Sequence, residues 1–145
     1  MKVIKRVMLV KRVTVLVFSD ELCQVFNGLM TAVSLLRSGA EVTVFFGSRG
    51  INVVHRERIK ELKCLPDQSE EVQREMMRRM EELALPTPED MLTMLEMEGA
   101  LLLACPLNKE LFGFRDEELV EGVKVADPES FYRDVVMVSD FVLSF

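Results

Sequence analysis

Histidine is almost missing from this chain of 145 residues: His55 is the only one. Cysteine is sparse as well. Cys23, Cys64 and Cys105 are an odd set of three with no CxxC pair and no regular spacing. Neither a Cys₂His₂ nor a Cys₄ ligand set can be assembled, so no metal is expected. A disulfide scaffold is not expected either, and a reducing, cytoplasmic compartment fits best. A Ser-His-Asp triad would rest on His55 alone, and the G-x-S-x-G elbow is absent. There is no G-x-G-x-x-G and no P-loop, so no cofactor is expected. Basic residues are in deficit: 18 Lys and Arg face 24 Asp and Glu, a formal net charge of -6, which argues against nucleic acid as a partner. Long apolar runs are missing too; Val13 to Ser19 has strand length and is too short to cross a membrane. The opening stretch, residues 1–11, alternates apolar runs with basic pairs. It lacks the apolar core of a signal peptide and reads as an edge strand or a flexible lead-in.

What remains is the composition of an ordinary folded domain. Hydrophobic residues make up 49% and charged residues 29%, which excludes disordered and fibrous classes. The length suits one domain, 1–145, with one substantial core. Val13-Thr14-Val15-Leu16-Val17-Phe18-Ser19 is β-branched and nearly all apolar, as a strand covered on both faces should be. Asp20 then offers an N-cap. Leu22, Phe26, Leu29, Val33 and Leu36 follow at helical spacing, and Gly39 is placed to end the helix. Glu41 to Phe46 is a second strand, broken by the turn Gly47-Ser48-Arg49-Gly50. Strand, helix and strand form a βαβ unit.

A helical interlude is expected over residues 51–98. Its first helix runs from about His55 to Lys63, and Asp67 caps a second that carries Val72, Met76, Met80 and Leu83. The third is announced by Thr87-Pro88-Glu89-Asp90: N-cap, N1 proline and acidic first turn together. Methionines 76, 80, 91 and 94 read as core or subunit contact. After Leu101 to Ala104, residues Phe114 to Glu121 read as a loop or turn, Val123 to Ala126 as a short strand, 128–137 as a helix, and Phe141 to Phe145 as the last strand. Five strands with helices between most of them predict an α/β three-layer sandwich with a mostly parallel sheet and a helical insertion after the second strand.

The stretch Gly99 to Gly113 carries the chemistry. An apolar strand runs into a turn at Cys105-Pro106, and proline suits the first helical position, leaving Cys105 at the N-cap. A helix N-terminus favours negative charge and so a thiolate. In a parallel sheet this is also the carboxyl end of a strand, where open α/β sheets bind ligands. The alternative is that Cys105 only fills core space, as free cysteines often do. Several cysteine chemistries are disfavoured by what surrounds it. Asn108 stands where a thioredoxin-like site has its second cysteine, and Leu111 where a tyrosine-phosphatase loop has arginine. Leu102 stands where peroxiredoxins usually have Thr or Ser, which counts against a thiol peroxidase. A single cysteine without an evident base or resolving partner suits a sulfur that other thiols load and unload.

Three segments resemble the DsrE/DsrF-like sulfur-relay family, and most closely its single-chain DsrE-like branch, whose members are often labelled peroxiredoxin-related. They are Val15 to Glu21, Val42 to Asn52, and Ala104-Cys105-Pro106-Leu107-Asn108-Lys109-Glu110-Leu111-Phe112-Gly113. The sequence departs from the branch at Gly47, Ser48, Arg49 and Asn108, while the cysteine is kept. The resemblance implies a flavodoxin-like fold and a sulfurtransferase-like carrier that holds sulfane sulfur as a persulfide on Cys105. It implies donor and acceptor proteins or low-molecular-weight persulfides as partners, a trimeric or hexameric homo-oligomer, and a peripheral membrane partner. A non-catalytic ligand-binding or regulatory module on the same fold is the alternative.

Around Cys105, the residues Asp20, Arg49, Asn108 and Lys109 are candidates for the pocket, the basic ones because they would stabilise a sulfur anion. Surface charge is the competing reading for the charged ones. Cys23 joins them if the first and third strands are adjacent; otherwise it is a buried helix residue. Cys64 reads as incidental.

Overall fold

The computed structural model describes residues 10–145. The lead-in expected over 1–11 therefore lies, up to residue 9, outside the described residues. Five strands form the sheet: β1 (Arg12–Val17), β2 (Glu41–Phe46), β3 (Leu101–Ala104), β4 (Val123–Val125) and β5 (Phe141–Ser144). All neighbours pair in parallel, in the order β4-β3-β2-β1-β5. The register sets Val17 beside Phe46 and Phe46 beside Ala104.

The side-chain alternation of the strands creates two unequal cores. Val13, Val15, Val17, Val44, Phe46, Leu102 and Ala104 face one way and form the larger cluster with Val25, Leu29 and Val33 of α1 (Leu22–Arg37), skipping over α2 (Glu70–Glu82), and with Met91, Leu92 and Leu95 of α3 (Pro88–Met97). Phe45 and Leu103 face the other way and meet Ala126 and Phe131, with Leu16, Val135 and Val136 at the margin. A single crossover hand accounts for the division. The chain steps from β1 to β2 to β3 in one direction and puts α1 and α3 on one face; the return from β4 to β5 reverses direction and puts α5 (Pro128–Phe131) on the other. Helices on both faces of a parallel sheet make the α/β sandwich that the strand pattern predicts.

Local chemistry explains the element ends. Thr87 and Asp90 exchange bonds in a capping box, each 3.1 Å, with Pro88 in the first turn. Ser69 caps α2, where Asp67 is expected from sequence. The helix expected over 55–63 is instead the single 3₁₀ turn Arg58–Glu61, preceded by another 3₁₀ stretch at Ser48–Val54. His55 Nδ1 accepts the backbone N–H groups of Glu57 and Arg58 at 3.1 and 3.2 Å, as an N-cap would, but Leu62 turns extended at ψ 138 and ends the segment after one short turn. The helix expected over 128–137 is the four-residue α5 followed by a π turn, Tyr132–Val136.

Candidate functional site

The carboxyl edge of the sheet gathers the ends of β1, β2 and β3. Cys105 follows β3 directly and is the N-cap of α4 (Pro106–Leu111), with Pro106 at the first helical position. Its N–H donates to the Phe46 carbonyl at 2.9 Å, so the last residue of β2 seats the turn. The cysteine is half-buried against the Phe45–Phe131 cluster, and its side chain makes no capping bond. Asn108, one turn on, reaches back: its Oδ1 accepts the Ser48 N–H at 2.8 Å. Ser48 has φ +49, a left-handed conformation costly for a residue with a side chain, and this bond offsets that cost.

Asp20 does not cap α1. Glu21 does, its Oε2 accepting the Gln24 N–H at 2.8 Å while Oε1 accepts the Leu65 N–H at 2.8 Å. Burial pushes the Glu21 carboxyl up, but these N–H bonds outweigh it and hold the group below the usual range. Asp20 is drawn elsewhere, accepting from Asn52 Nδ2 at 3.0 Å and pairing with Arg49 Nη2 at 2.9 Å. The two basic candidates are thus engaged with carboxylates. Arg49 lies on Asp20, and Lys109, its side chain only 10% exposed, lies 2.8 Å from Asp116 and 3.3 Å from Glu110. Asp116 foremost holds the Lys109 ammonium above its ordinary range.

A cleft of about 190 Å³ opens beside this network, walled by Asp20, Arg49, Asn52, Arg58, Glu61 and Lys63; Cys105 is not part of its wall. Asn52 is 7% exposed, and its Oδ1 is buried without a hydrogen-bond partner. Sequence reasoning missed Asn52, which follows the Gly47–Gly50 turn with no motif of its own. Cys23 does not approach Cys105, because β2 separates β1 from β3. It touches Cys64, Sγ to Sγ at 2.6 Å, so Cys64 is not incidental. Glu21, Cys23 and Cys64 bring an oxygen and two sulfurs within 4.8 Å of one another, the one such trio of possible metal ligands among the described residues.

The family model for DsrE/DsrF/DrsH-like proteins matches residues 60–142, more than half of the chain and a span that includes Cys105. The chain belongs to the DsrE/DsrF/DrsH-like family. Among solved structures, this DsrE-like chain is similar to the ychN protein from E. coli, with a TM-score of 0.64 and 16% identity over 93% of this chain and 99% of that one. It is equally similar to MTH1491, a protein of unknown function from Methanobacterium thermoautotrophicum. There the TM-score is 0.64 and the identity 17%, over the same 93% and 99%. At these identities the likeness is one of fold. No curated protein matches the chain. Among the described residues no helix is long and apolar enough to cross a membrane.

His55 serves the DsrE-like fold rather than a triad. Since Nδ1 accepts two N–H groups, Nε2 carries the proton and donates to Glu118 at 3.1 Å, with the ring tilted on Phe114 at 4.4 Å. The Arg115 N–H and guanidinium, then His55, hold Glu118 down at about 2, against an ordinary 4.5. A carboxylate depressed in this way adds stability that is complete above its unfolded pKa and is lost as pH falls toward the folded one. Glu118→Gln should therefore differ most from wild type near pH 6, and the gap in urea midpoint should close as pH falls from about 4.5 toward 2. A gap that stays constant over that range contradicts the assignment.

Proposed function

We propose that this DsrE-like protein accepts sulfane sulfur on Cys105 and passes it on as a persulfide. The Cys105 thiolate attacks the outer sulfur of a donor persulfide R–S–SH. A new S–S bond forms, the donor S–S bond breaks, and its electron pair leaves with the donor as R–S⁻. An acceptor thiolate then attacks the outer sulfur of Cys105–S–SH and takes it, returning Cys105 as thiolate. Sulfur moves at its own oxidation level, so no outside oxidant is required. The reading rests above all on the position of Cys105 between β3 and α4, half-buried, uncommitted to another sulfur and free of a capping bond. Membership of the DsrE-like family, which points to sulfur relay, supports it. Partners in this reading are a persulfide-bearing donor and an acceptor thiol in a reducing cytoplasm. Assembly with further copies of the chain is part of it, and exposed Tyr132, Met137, Phe141 and Val142 near β5 suit such a contact.

A ligand-binding module is the second reading, favoured by the cleft beside Asp20 and by the unpartnered Asn52 oxygen. Intact mass separates the two. Reduced protein incubated with thiosulfate, polysulfide or glutathione persulfide should gain about 32 Da per added sulfur. The gain should disappear in Cys105→Ala and persist in Cys23→Ala and Cys64→Ala. No adduct from any donor, with a Cys105 that also resists alkylation, would sink the carrier and leave the binding module.

A further inference from the structure

The fold sorts the cysteines into one alone at β3 and two together at the base of α1. Cys23 lies in the first turn of α1 and is half-buried; Cys64 is fully buried in the segment that leads toward α2. Their contact does not depend on the sulfurs. The Leu22 N–H donates to the Lys63 carbonyl at 2.9 Å, and the Leu65 N–H donates to Glu21 Oε1 at 2.8 Å. Leu65 itself is held at φ +51, the left-handed region that a leucine avoids unless its surroundings fix it. A backbone bond at Lys63 and the Glu21 carboxylate at Leu65 thus hold Cys64 against Cys23, and Met80 Sδ lies 3.5 Å from the Cys64 sulfur.

We propose that Cys23 and Cys64 form a reversible intramolecular disulfide, a two-electron redox site that takes low-molecular-weight disulfides as its oxidant. Cys23, the more exposed, gives its proton to solvent and attacks one sulfur of R–S–S–R, expelling R–S⁻ and leaving Cys23–S–S–R. Cys64 loses its proton and attacks the Cys23 sulfur, forming the internal bond and expelling the second R–S⁻. Two protein thiols are oxidised, one disulfide is reduced, and the two protons end on the two released thiols.

The chemistry of the surroundings favours this over metal ligation. Both Glu21 oxygens already accept backbone N–H groups. Burial, then the neighbouring Cys64, pushes the Cys23 thiol up to about 12, and burial pushes Cys64 up as well. The same shift makes both thiolates scarce at neutral pH, so the exchange is slow there and quickens as pH rises. The bond would also fasten Lys63 and Pro66, which line the same cleft as Asp20 and Arg49.

The test uses the full chain carrying Cys105→Ala, so that failure of the persulfide reading cannot imitate failure of this one. Glutathione disulfide should yield a monomer lighter by two hydrogens with both remaining thiols lost to alkylation. Digestion should show one cross-linked peptide pair containing Cys23 and Cys64, and dithiothreitol should restore the starting mass. Adding Cys23→Ser, at the more exposed position, should abolish the mass loss while circular dichroism stays unchanged. A lasting glutathione adduct on Cys23 with Cys64 still alkylated overturns the proposal. So does a stoichiometric zinc or copper ion retained by the purified reduced protein.

Discussion

Gly50→Ala should destabilise the protein by about 3 kcal/mol or more, an effect reserved for a clash that packing cannot relieve. Gly50 is buried in the 3₁₀ turn after β2, and a Cβ there would lie 2.0 Å from the Val17 carbonyl oxygen and 2.7 Å from its carbon. Both are backbone atoms of β1, a strand hydrogen-bonded on both sides, so they cannot swing aside as a side-chain tip would. The same carbonyl accepts the Gly47 N–H at 3.0 Å, which ties the turn down at a second point. Gly39→Ala is the matching control. Gly39 has φ +97 with nothing within 4 Å of a new Cβ, so it should lose only the ~1 kcal/mol of left-handed strain. Urea unfolding of the two variants separates close approach from conformational strain. Equal losses would mean that the turn slides off β1 and that Gly50 is not a contact point. The displacement would also reach the site, because the turn carries the Ser48 N–H to Asn108 and Arg49 to Asp20.

Where one physical signal decides the outcome locally, the sequence was readable. The apolar runs of β1, β2 and β3 fix a sheet covered on both faces, and Cys105-Pro106 fixes the strand-to-helix turn, because a proline at N1 leaves few alternatives for the residue before it. Misreadings arose where two groups compete for one role. Asp20 is the better intrinsic cap, yet Glu21 takes the position because Arg49 and Asn52, far along the chain, claim the Asp20 carboxylate. The segment after His55 has helical residues and an imidazole that accepts two of its amides as a cap would, yet it closes only one short 3₁₀ turn before Leu62 runs extended. The methionine stripe of α2 has the spacing of a core helix, and no residue of that helix is buried. The Cys23–Cys64 contact leaves no local trace at all, since it is made by a segment folding back over α1 across 41 positions.

Phe46→Ala should cost about 3–5 kcal/mol, the range for deleting a buried aromatic side chain without collapse of the space it leaves. Phe46 is fully buried in the larger core, on the central strand, paired with Val17 on one side and Ala104 on the other. Strands fixed on both edges cannot move in to fill the void, which places the expectation in the upper half of that range. Phe46→Leu keeps most of the volume and should cost only ~1 kcal/mol. The urea midpoint should fall in that order with an unchanged slope, since neither variant alters the surface exposed on unfolding. The site offers an independent check. Cys105 is seated through the Phe46 carbonyl, a backbone group that both substitutions retain. Alkylation of Cys105 in the folded Leu variant should therefore proceed at the wild-type rate, and any acceleration in the Ala variant should track its population of unfolded chains. A loss under about 1.5 kcal/mol in Phe46→Ala would show that the ring is not packed as a core residue. Faster alkylation in the Leu variant would show instead that the ring, rather than the backbone bond, sets the exposure of Cys105.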